Sequence, residues 1–303
     1  MKIVSIINYK GGVGKTTVTS NLAGELANRD FNILMIDLDP QASLTFSFVT
    51  PDYWKDNLAN DRTIKNWFKP SSKSTPFPFG NLIFSPGEVQ PYCSGKLDII
   101  ASHLDLINVD LELATQLSGA NMQQAKANFL KVHRRLLNGL HELDPESYDI
   151  VLIDCPPNFN IVTKNALLAS DFILIPAKPD YLSTMGIDYL NTSVQRLVKE
   201  YNEYCQVDDG DDTEPIDPKI AGILFTMVQF YGGQPIATIR PYIAQARRSD
   251  IDVFNNYIRE NKTLFAEAPL QGIPVILQKV NPSYSHILGE ISDFVDEFEL
   301  KVL

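Results

Sequence analysis

The segment KGGVGKTT at residues 10–17 constrains the fold of this 303-residue chain more than any other feature. A short apolar run at residues 2–7 precedes it, and apolar side chains recur at helical spacing over residues 16–29. Glycines let the backbone wrap closely around an anion, and the N-terminus of a following helix adds N–H groups and a favourable dipole. The segment therefore predicts a strand, a phosphate-binding loop and a helix in succession.

The polar residues of this loop have predicted roles of their own. Lys15 is expected to bridge the β- and γ-phosphates of a nucleotide, Thr16 to place its hydroxyl on Mg²⁺, and Thr17 to reach the α-phosphate. The general phosphate-loop pattern has glycine where this chain has Tyr9, so the chain departs from it. In its place the chain carries a second lysine, Lys10, followed by two glycines.

Strand-like apolar runs alternate with helical patterns along the rest of the chain. Further strands are predicted at residues 32–37, 81–84, 97–101, 149–154, 172–176, 220–225 and 274–277. Helices are predicted near residues 105–118, 123–142, 161–170, 184–204, 235–248 and 283–300. Several strands are apolar on both faces, so we expect a doubly wound α/β fold, a mostly parallel sheet with helices on both faces. Residues 1–303 form one domain in this interpretation, with surface excursions at 50–80 and 200–218.

Acidic side chains stand at the ends of two predicted strands. Asp37 and Asp39, in DLDPQAS, project to the same side because side chains alternate along a strand. Asp154 ends the strand in YDIVLIDCPP and is a candidate to hold Mg²⁺ through water. Open α/β sheets bind their ligands at the carboxyl ends of the strands, where these carboxylates are expected.

Together, KGGVGKTT, DLDPQAS and the continuation DCPP resemble the deviant Walker A ATPases of the ParA/MinD superfamily, which have a P-loop NTPase fold. The resemblance implies that Lys10 reaches the nucleotide of a partner subunit, so that ATP assembles a homodimer. It implies that Asp39 orients or activates the attacking water and that Asp37 supports Mg²⁺, alongside Thr16 and Asp154. It also implies catalytic roles for Lys10 and Lys15 and contacts to ATP from Gly11, Gly12, Val13, Gly14, Thr17 and, in the adenine pocket, Met227.

Within this superfamily, ParA-type partition ATPases fit best. Cys93, Cys155 and Cys205 form no pair suited to an iron–sulfur cluster, and Cys155 is interpreted as a small apolar filler. The terminus EISDFVDEFELKVL is acidic, unlike a basic membrane-binding helix, so no membrane partner is expected. The resemblance implies a cytoplasmic, nucleoid-associated protein whose slow ATP hydrolysis is stimulated by a ParB-type adaptor. It also implies nonspecific DNA binding in plasmid or chromosome segregation.

The net charge of −11 taken alone argues against nucleic-acid binding, which needs a basic surface. The charge is uneven, because residues 200–217 carry eight acidic and no basic residues, whereas residues 219–262 carry six basic and three acidic ones. Candidate DNA contacts in the second stretch are Arg240, Arg247, Arg248 and Lys262, with His133–Arg135 as a weaker second candidate. The acidic stretch and the basic stretch can each also be interpreted as ordinary solvent-exposed surface with no binding role.

Two other functions remain open on the sequence. The first is a ParA-like positioning ATPase for a non-DNA cargo, which the net acidity favours slightly. The second is an ATP-dependent biosynthetic enzyme on the same scaffold, such as a relative of dethiobiotin synthetase or cobyrinate amidase. Phosphorylation or amidation of a small acid would support the second.

Overall fold

The computed structural model describes residues 1–69, 78–206 and 213–303, and its main element is a six-stranded parallel sheet. The strands are β1 (Lys2–Ile6), β2 (Ile33–Asp37), β3 (Leu97–Ile100), β4 (Ile150–Asp154), β5 (Phe172–Ala177) and β6 (Lys219–Phe225). Their order across the sheet is β3-β2-β4-β1-β5-β6. A small antiparallel pair, β7 (Phe230–Tyr231) and β8 (Gln234–Pro235), stands apart from it.

Helices cover both faces of the sheet, which confirms the predicted doubly wound α/β fold. In chain order they are α1 (Lys15–Asn28), α2 (Pro51–Asn57), α3 (Ile64–Phe68), α4 (Leu106–Thr115), α5 (Met122–His133), α6 (Arg135–His141), α7 (Ile161–Ala169), α8 (Tyr181–Cys205), α9 (Arg240–Ala246), α10 (Lys262–Gln271) and α11 (Ser285–Val302). Neighbouring strand residues point to opposite cores. Ile3 packs under α4–α8, whereas Val4 packs with α1 and α11. A strand buried on both sides is mostly apolar, and β2 and β4 are apolar up to the aspartate that ends each of them.

Strand order brings three chemically important segments to one edge. β4 lies between β1 and β2, with Asp154 paired in register with both Ile6 and Asp37. The loop after β1 is the glycine-rich segment, so it emerges next to the end of β4. This places the predicted phosphate loop and two of the predicted carboxylates together at the carboxyl edge.

Several predicted elements are wrong in the structure. Residues 81–84 and 274–277 are not strands: short 3-10 helices occupy Phe79–Leu82 and Val275–Leu277. The former segment contributes only an isolated bridge between Phe84 and Ile99. The helix predicted at 123–142 is broken at Arg134 into α5 and α6. Helix α10 was not predicted, because Pro269 interrupts its pattern.

Within the predicted excursion at 50–80, α2 has no buried side chain, whereas the residues after it reach the interior. Leu58, Ile64 and Phe68 are fully buried and belong to the two main cores. Residues 70–77, the Pro/Ser-rich part, lie outside the described residues. In the other predicted excursion, residues 200–205 continue α8, and the acidic residues 207–212 lie outside the described residues.

The C-terminal helix α11 buries its apolar side chains within the protein. Ile287, Ile291, Phe294, Val295, Phe298 and Val302 are at most 3% exposed. Arg29, at the end of α1, joins the two helices through ion pairs with Glu25, Asp296 and Glu299. In the described ranges, no helix combines the length and apolar character needed to cross a membrane.

Candidate functional site

The glycine-rich loop has the backbone conformation that its sequence predicts. Gly12 and Gly14 have φ angles of 68° and 83°, in the left-handed region that side-chain-bearing residues rarely adopt. Gly14 is the N-cap of α1, so the loop runs directly into the helix N-terminus. The hydroxyl of Thr226, after β6, donates to the carbonyl of Val13 at 2.7 Å and fixes the loop from the side. The result is a preformed anion-binding turn at the sheet edge.

The two polar residues that open α1 point into the site. Lys15 is only 7% exposed, although its sequence position is the start of a helix. The Thr16 hydroxyl donates to Asp154 Oδ2 at 2.7 Å. Two residues 138 positions apart, both predicted to hold Mg²⁺, are therefore in direct contact through this hydrogen bond.

Asp37 lies deeper than its predicted role at Mg²⁺ suggested. It is fully buried, and its Oδ2 accepts from both the amide and the hydroxyl of Thr45, at 2.8 and 2.7 Å. Its Oδ1 accepts from the amide of Asp39 at 3.1 Å. Asp37 therefore holds the backbone after β2 in shape, through contacts that use both of its oxygens.

Burial raises the pKa of both Asp37 and Asp154 above the usual range of aspartate, and the charge of Asp154 adds to the rise at Asp37. At Asp154, the hydrogen bond from Thr16 and the nearby charge of Lys15 act in the opposite direction. Because two buried carboxylates on paired strands repel each other when charged, a bound cation would stabilise their ionised forms.

Asp39 stands at the mouth of the site. Its Oδ1 accepts from the amide of Gln41 at 2.9 Å, and its carbonyl accepts from the Ser102 hydroxyl at 2.7 Å. The side chain is partly exposed, so it remains available to a ligand in the loop. Ser102, which follows β3, was not predicted to contribute, since nothing in the local sequence distinguishes it.

The other lysine of the loop points away from the phosphate turn. Lys10 Nζ lies 2.8 and 2.7 Å from the two carboxylate oxygens of Asp180. Asp180 is the N-cap of α8 and also accepts from the amide of Ser183. Although burial acts in the opposite direction, the hydrogen bonds from Lys10 and Ser183 hold the pKa of Asp180 below its usual value. No sequence motif predicted this ion pair, because its two residues are 170 positions apart.

A cavity of about 280 Å³ adjoins the loop on the β6 side. Met227 lines this cavity and has a φ of 53°, and its contact with an adenine base stays a prediction. The opposite wall of the cavity comes from residues 258–265. The cavity is lined by Gly14, Thr17, Val18, Lys178, Thr226, Met227, Ile258, Arg259, Glu260, Asn261, Lys262 and Phe265.

The residues present fit a magnesium ion held jointly with a ligand. Asp154 Oδ1 is buried and has no hydrogen-bond partner among the described residues. In those same residues no group of three or more His, Cys, Asp or Glu side chains is placed to hold a metal. Mg²⁺ in phosphate-binding sites typically takes one or two protein ligands, with phosphates and water completing its shell. A hydroxyl and one carboxylate beside a phosphate turn match that requirement.

The predicted DNA-contacting residues separate into two places. Arg240, Arg247 and Arg248 lie on or next to α9 and are exposed. Arg247 donates to the Tyr257 hydroxyl at 2.9 Å. Lys262 begins α10 and borders the cavity next to the loop, so it lies on the nucleotide side.

The weaker candidate, His133–Arg135, is wrong as a surface for DNA. His133 is 1% exposed, and its ring stacks on Phe129 with centroids 4.1 Å apart. Arg135 donates to the carbonyls of Trp67 and Lys69, which ties it to the chain after α3. The run marks the break between two helices. Cys155, by contrast, is fully buried, in agreement with its interpretation as a filler.

Comparison with known proteins agrees with this geometry. A family model described as AAA domain (AAA_31) matches residues 1–207, more than half of the chain. The chain belongs to this family. Among curated AAA_31 relatives, the sporulation initiation inhibitor protein Soj of Bacillus subtilis is 28% identical, over 91% of this chain and 90% of Soj. The chromosome partitioning protein ParA of Myxococcus xanthus is 28% identical, over 92% of this chain and 82% of that protein. These matches place the chain among the ParA-type P-loop ATPases.

Solved structures share the fold of this AAA_31 member. Apo McdA of Cyanothece has a TM-score of 0.69 and 21% identity, covering 98% of this chain and 99% of McdA. A candidate plasmid partition protein of Borrelia burgdorferi, bound to AMPPNP, has a TM-score of 0.67 and 22% identity, covering 99% of each chain. Cobyrinic acid a,c-diamide synthase of Mycobacterium smegmatis, with an ATP analogue and magnesium, has a TM-score of 0.60 and 22% identity, covering 89% of this chain and 91% of the synthase.

Proposed function

We propose that this protein is a partition ATPase that binds and hydrolyses ATP with Mg²⁺, dimerises on ATP, and segregates or positions DNA of a plasmid or chromosome. The observation that carries the proposal is the hydrogen bond between Thr16 and Asp154, made beneath a preformed phosphate turn. Beside it, Asp154 Oδ1 has no hydrogen-bond partner in the part of the chain that the structure describes. A plain structural turn would not need a buried carboxylate with an open acceptor.

The nucleotide is assigned to the loop and its cavity. Gly11, Gly12, Val13 and Gly14 would present backbone N–H groups to the phosphates, with Lys15, Thr16 and Thr17 as described for the sequence. Met227 would border the base. Bound Mg²⁺, held by Thr16 and Asp154 with support from Asp37, would neutralise phosphate charge during transfer. Asp39, partly exposed at the mouth, would orient the attacking water.

Lys10 is assigned to a second copy of the chain. Its ammonium is engaged with Asp180 and is still about one third exposed, so a competing anion can reach it. A γ-phosphate presented by a second subunit would offer it more negative charge than one carboxylate does. ATP would therefore join two subunits, each lysine stabilising the nucleotide of the other.

DNA binding is assigned to Arg240, Arg247 and Arg248, three exposed cations close together at α9. Lys262 is retained as a fourth candidate, on the nucleotide side. Contacts of this kind are to phosphates and carry no sequence preference. A ParB-type adaptor would stimulate hydrolysis and release the DNA. The protein would be cytoplasmic and nucleoid-associated while ATP-bound.

The test combines dimerisation with DNA binding. Analytical ultracentrifugation of the Asp39→Ala protein should show a dimer with ATP and Mg²⁺ and a monomer without them. The same ATP-loaded sample should bind a random-sequence duplex, with affinity falling as salt rises. The Arg247→Ala/Arg248→Ala protein should dimerise normally and bind DNA more weakly. A monomer under all conditions would refute the dimer, and no DNA binding at low salt would remove DNA from the proposal.

A non-DNA cargo is the second candidate, favoured by the net charge of −11. Purified ATP-bound dimer that binds no duplex at low salt but co-purifies with a protein encoded beside its gene would support it. A biosynthetic ATP-dependent enzyme is the remaining alternative. Transfer of phosphate to a small acid, without ATP-dependent dimerisation, would favour that enzyme over both positioning functions.

A further inference from the structure

A second cavity, of about 380 Å³, opens between α7 and α8 on the other side of the phosphate loop. Three aromatic rings form its wall. The Tyr9 ring centroid lies 5.8 Å from that of Phe159 and 5.4 Å from that of Tyr189. Tyr9 is the residue that breaks the general phosphate-loop pattern, and the nucleotide site makes no use of it. The ring therefore serves this cavity instead of the phosphate turn.

Two cations line the same cavity, Lys164 of α7 and Arg196 of α8. Lys164 Nζ lies 5.9 Å from the Phe159 ring centroid. Neither cation forms an ion pair with any residue of the described ranges. The lining includes one carboxylate, Glu200, whose Oε1 accepts from the Tyr204 hydroxyl at 3.1 Å. The chain has a net charge of −11, so this cavity, with two cations and one carboxylate in its lining, is more positive than the chain as a whole.

The cavity continues an exposed apolar strip along α8. Tyr181, Leu182, Met185 and Tyr189 are 57, 67, 53 and 67% exposed. Positions 181, 185, 189 and 196 lie on one face of the helix, because residues four apart, or seven apart, stack along it. The opposite face is the one that packs inward, with Ile187, Leu190 and Val194 buried. Large exposed side chains in one strip are typical of a contact surface.

We propose that this strip and cavity, defined by Tyr181, Met185, Tyr189, Tyr9, Lys164 and Arg196, dock an acidic segment of a partner protein that carries aromatic or aliphatic side chains. The rings accept the apolar side chains, and the two cations accept carboxylates. Nucleic acid is the poorer fit. A phosphate backbone requires a longer run of cations than the two that line this cavity.

The docking surface is joined to the phosphate loop at both of its walls. Tyr9 directly precedes Lys10, and Tyr189 lies two turns along α8 from Asp180, the residue that holds Lys10. A segment seated against Tyr9 and Tyr189 contacts the same two elements that the Lys10–Asp180 ion pair joins. The inference rests on the proposed function in one respect, since it makes the occupant the stimulating partner of the ATPase.

The test uses two fluorescein-labelled synthetic peptides of equal length as probes. Glutamate alternates with phenylalanine in the first, and lysine alternates with phenylalanine in the second. Fluorescence anisotropy on the full chain without nucleotide should show binding of the acidic peptide only. The Lys164→Glu/Arg196→Glu protein should bind the acidic peptide at least about tenfold more weakly, as expected when charge-assisted contacts become repulsive. The milder Lys164→Gln/Arg196→Gln protein should show a smaller loss in the same direction.

Lys199→Glu is the matched control, since Lys199 lies on the same helix, outside the cavity lining, with a side chain that is 78% exposed. It should bind the acidic peptide as the wild-type protein does. Equal binding by the wild-type protein and both cavity variants, or binding of neither peptide, overturns the proposal. A thymidine oligonucleotide that binds while the acidic peptide does not, and is lost in the cavity variants, assigns the cavity to nucleic acid instead.

ATP-dependent dimerisation of the cavity variants separates this inference from the proposed function. Peptide binding lost with dimerisation intact supports the docking surface. Loss of dimerisation by Lys164→Gln/Arg196→Gln assigns the surface to a second copy of the chain and overturns the partner proposal. A wild-type protein that binds the acidic peptide but never dimerises with ATP keeps the docking surface and refutes the dimer.

Discussion

The ammonium group of Lys10 lies 2.7 Å from a carboxylate oxygen of Asp180, the residue that caps α8. The lysine expected to reach across to a second subunit is thus held within its own chain. Releasing it has a cost, and that cost opposes dimerisation by the amount that the ion pair is worth. For a pair of partly exposed side chains this is about 1 kcal/mol or less.

Asp180→Asn should therefore favour the ATP-dependent dimer. Asparagine still caps a helix, so α8 should be retained, while the charge that holds Lys10 is removed. We expect up to about 25-fold tighter association, because each dimer releases two such weak ion pairs, one in each subunit. Sedimentation across a concentration series with ATP measures it, and Asp188→Asn, an exposed residue of α8, is the control. Weaker association would mean that Asp180 supports the dimer instead of opposing it.

Thr16→Val and Asp154→Asn should each weaken nucleotide binding only when Mg²⁺ is present. The first removes the hydroxyl that donates to Asp154, and the second removes the carboxylate charge. Loss of one charge-assisted contact predicts at least about a tenfold rise in Kd. Titration calorimetry with ATP, with Mg²⁺ or with EDTA, measures the difference. Ser20→Ala, on the same helix, should leave the Mg²⁺ dependence unchanged, and an equal loss in EDTA would refute the metal role.

His133 should make the protein less stable in mild acid. Burial lowers the pKa of its imidazole to about 4, so the folded state resists protonation more than the unfolded chain does. The stability due to the neutral ring is present above the unfolded pKa of about 6.5 and is lost as pH falls through that value towards 4. The full effect is about 3 kcal/mol.

Urea unfolding between pH 7 and pH 4.5 tests the role of His133. His133→Asn should flatten the pH dependence, because the replacement does not titrate. His286→Asn is the control, since His286 is exposed. Identical slopes for the wild-type protein and His133→Asn would remove this residue from the acid response.

Gly139→Ala should destabilise the fold. A Cβ built at this position in α6 would lie 2.5 Å from a ring carbon of Phe79, a side chain that is fully buried and cannot move freely. Overpacking of this kind costs about 1–3 kcal/mol. Gly186→Ala in α8 is the matched substitution, because nothing lies within 4 Å of its built Cβ. It should instead stabilise by about 0.5–1 kcal/mol, and urea midpoints compare the two.

The central part of the site could be predicted because its information is local. The spacing within KGGVGKTT and the positions of Asp37 and Asp154 at strand ends determine where these residues stand once the strands are parallel. The pairing of Asp154 with Asp37 then follows from strand order. The ParA-type family likewise follows from these short motifs.

Contacts between distant segments could not be predicted. Lys10 and Asp180 are 170 residues apart, and the cavity wall at residues 258–265 comes from a stretch with no strong pattern. The wrongly predicted strand at 81–84 has strand-like residues. Pro78 and Gly80 lie just before it, and a 3-10 helix forms over Phe79–Leu82 instead. The prediction that His133–Arg135 could contact DNA was wrong because α5 and α6 meet there, and the side chains turn inward.

The packing of α11 against α1 also matters while the protein is being made. The ribosome synthesises the phosphate loop well before Phe294, Phe298 and Val302, yet those later residues complete the apolar layer that supports α1. A nascent chain that ends before Ser285 has every residue of the phosphate loop. It lacks α11, with which Arg29 forms two ion pairs. Chains that stop before Ser285 should therefore expose the apolar face of α1, and quality-control proteases should degrade them.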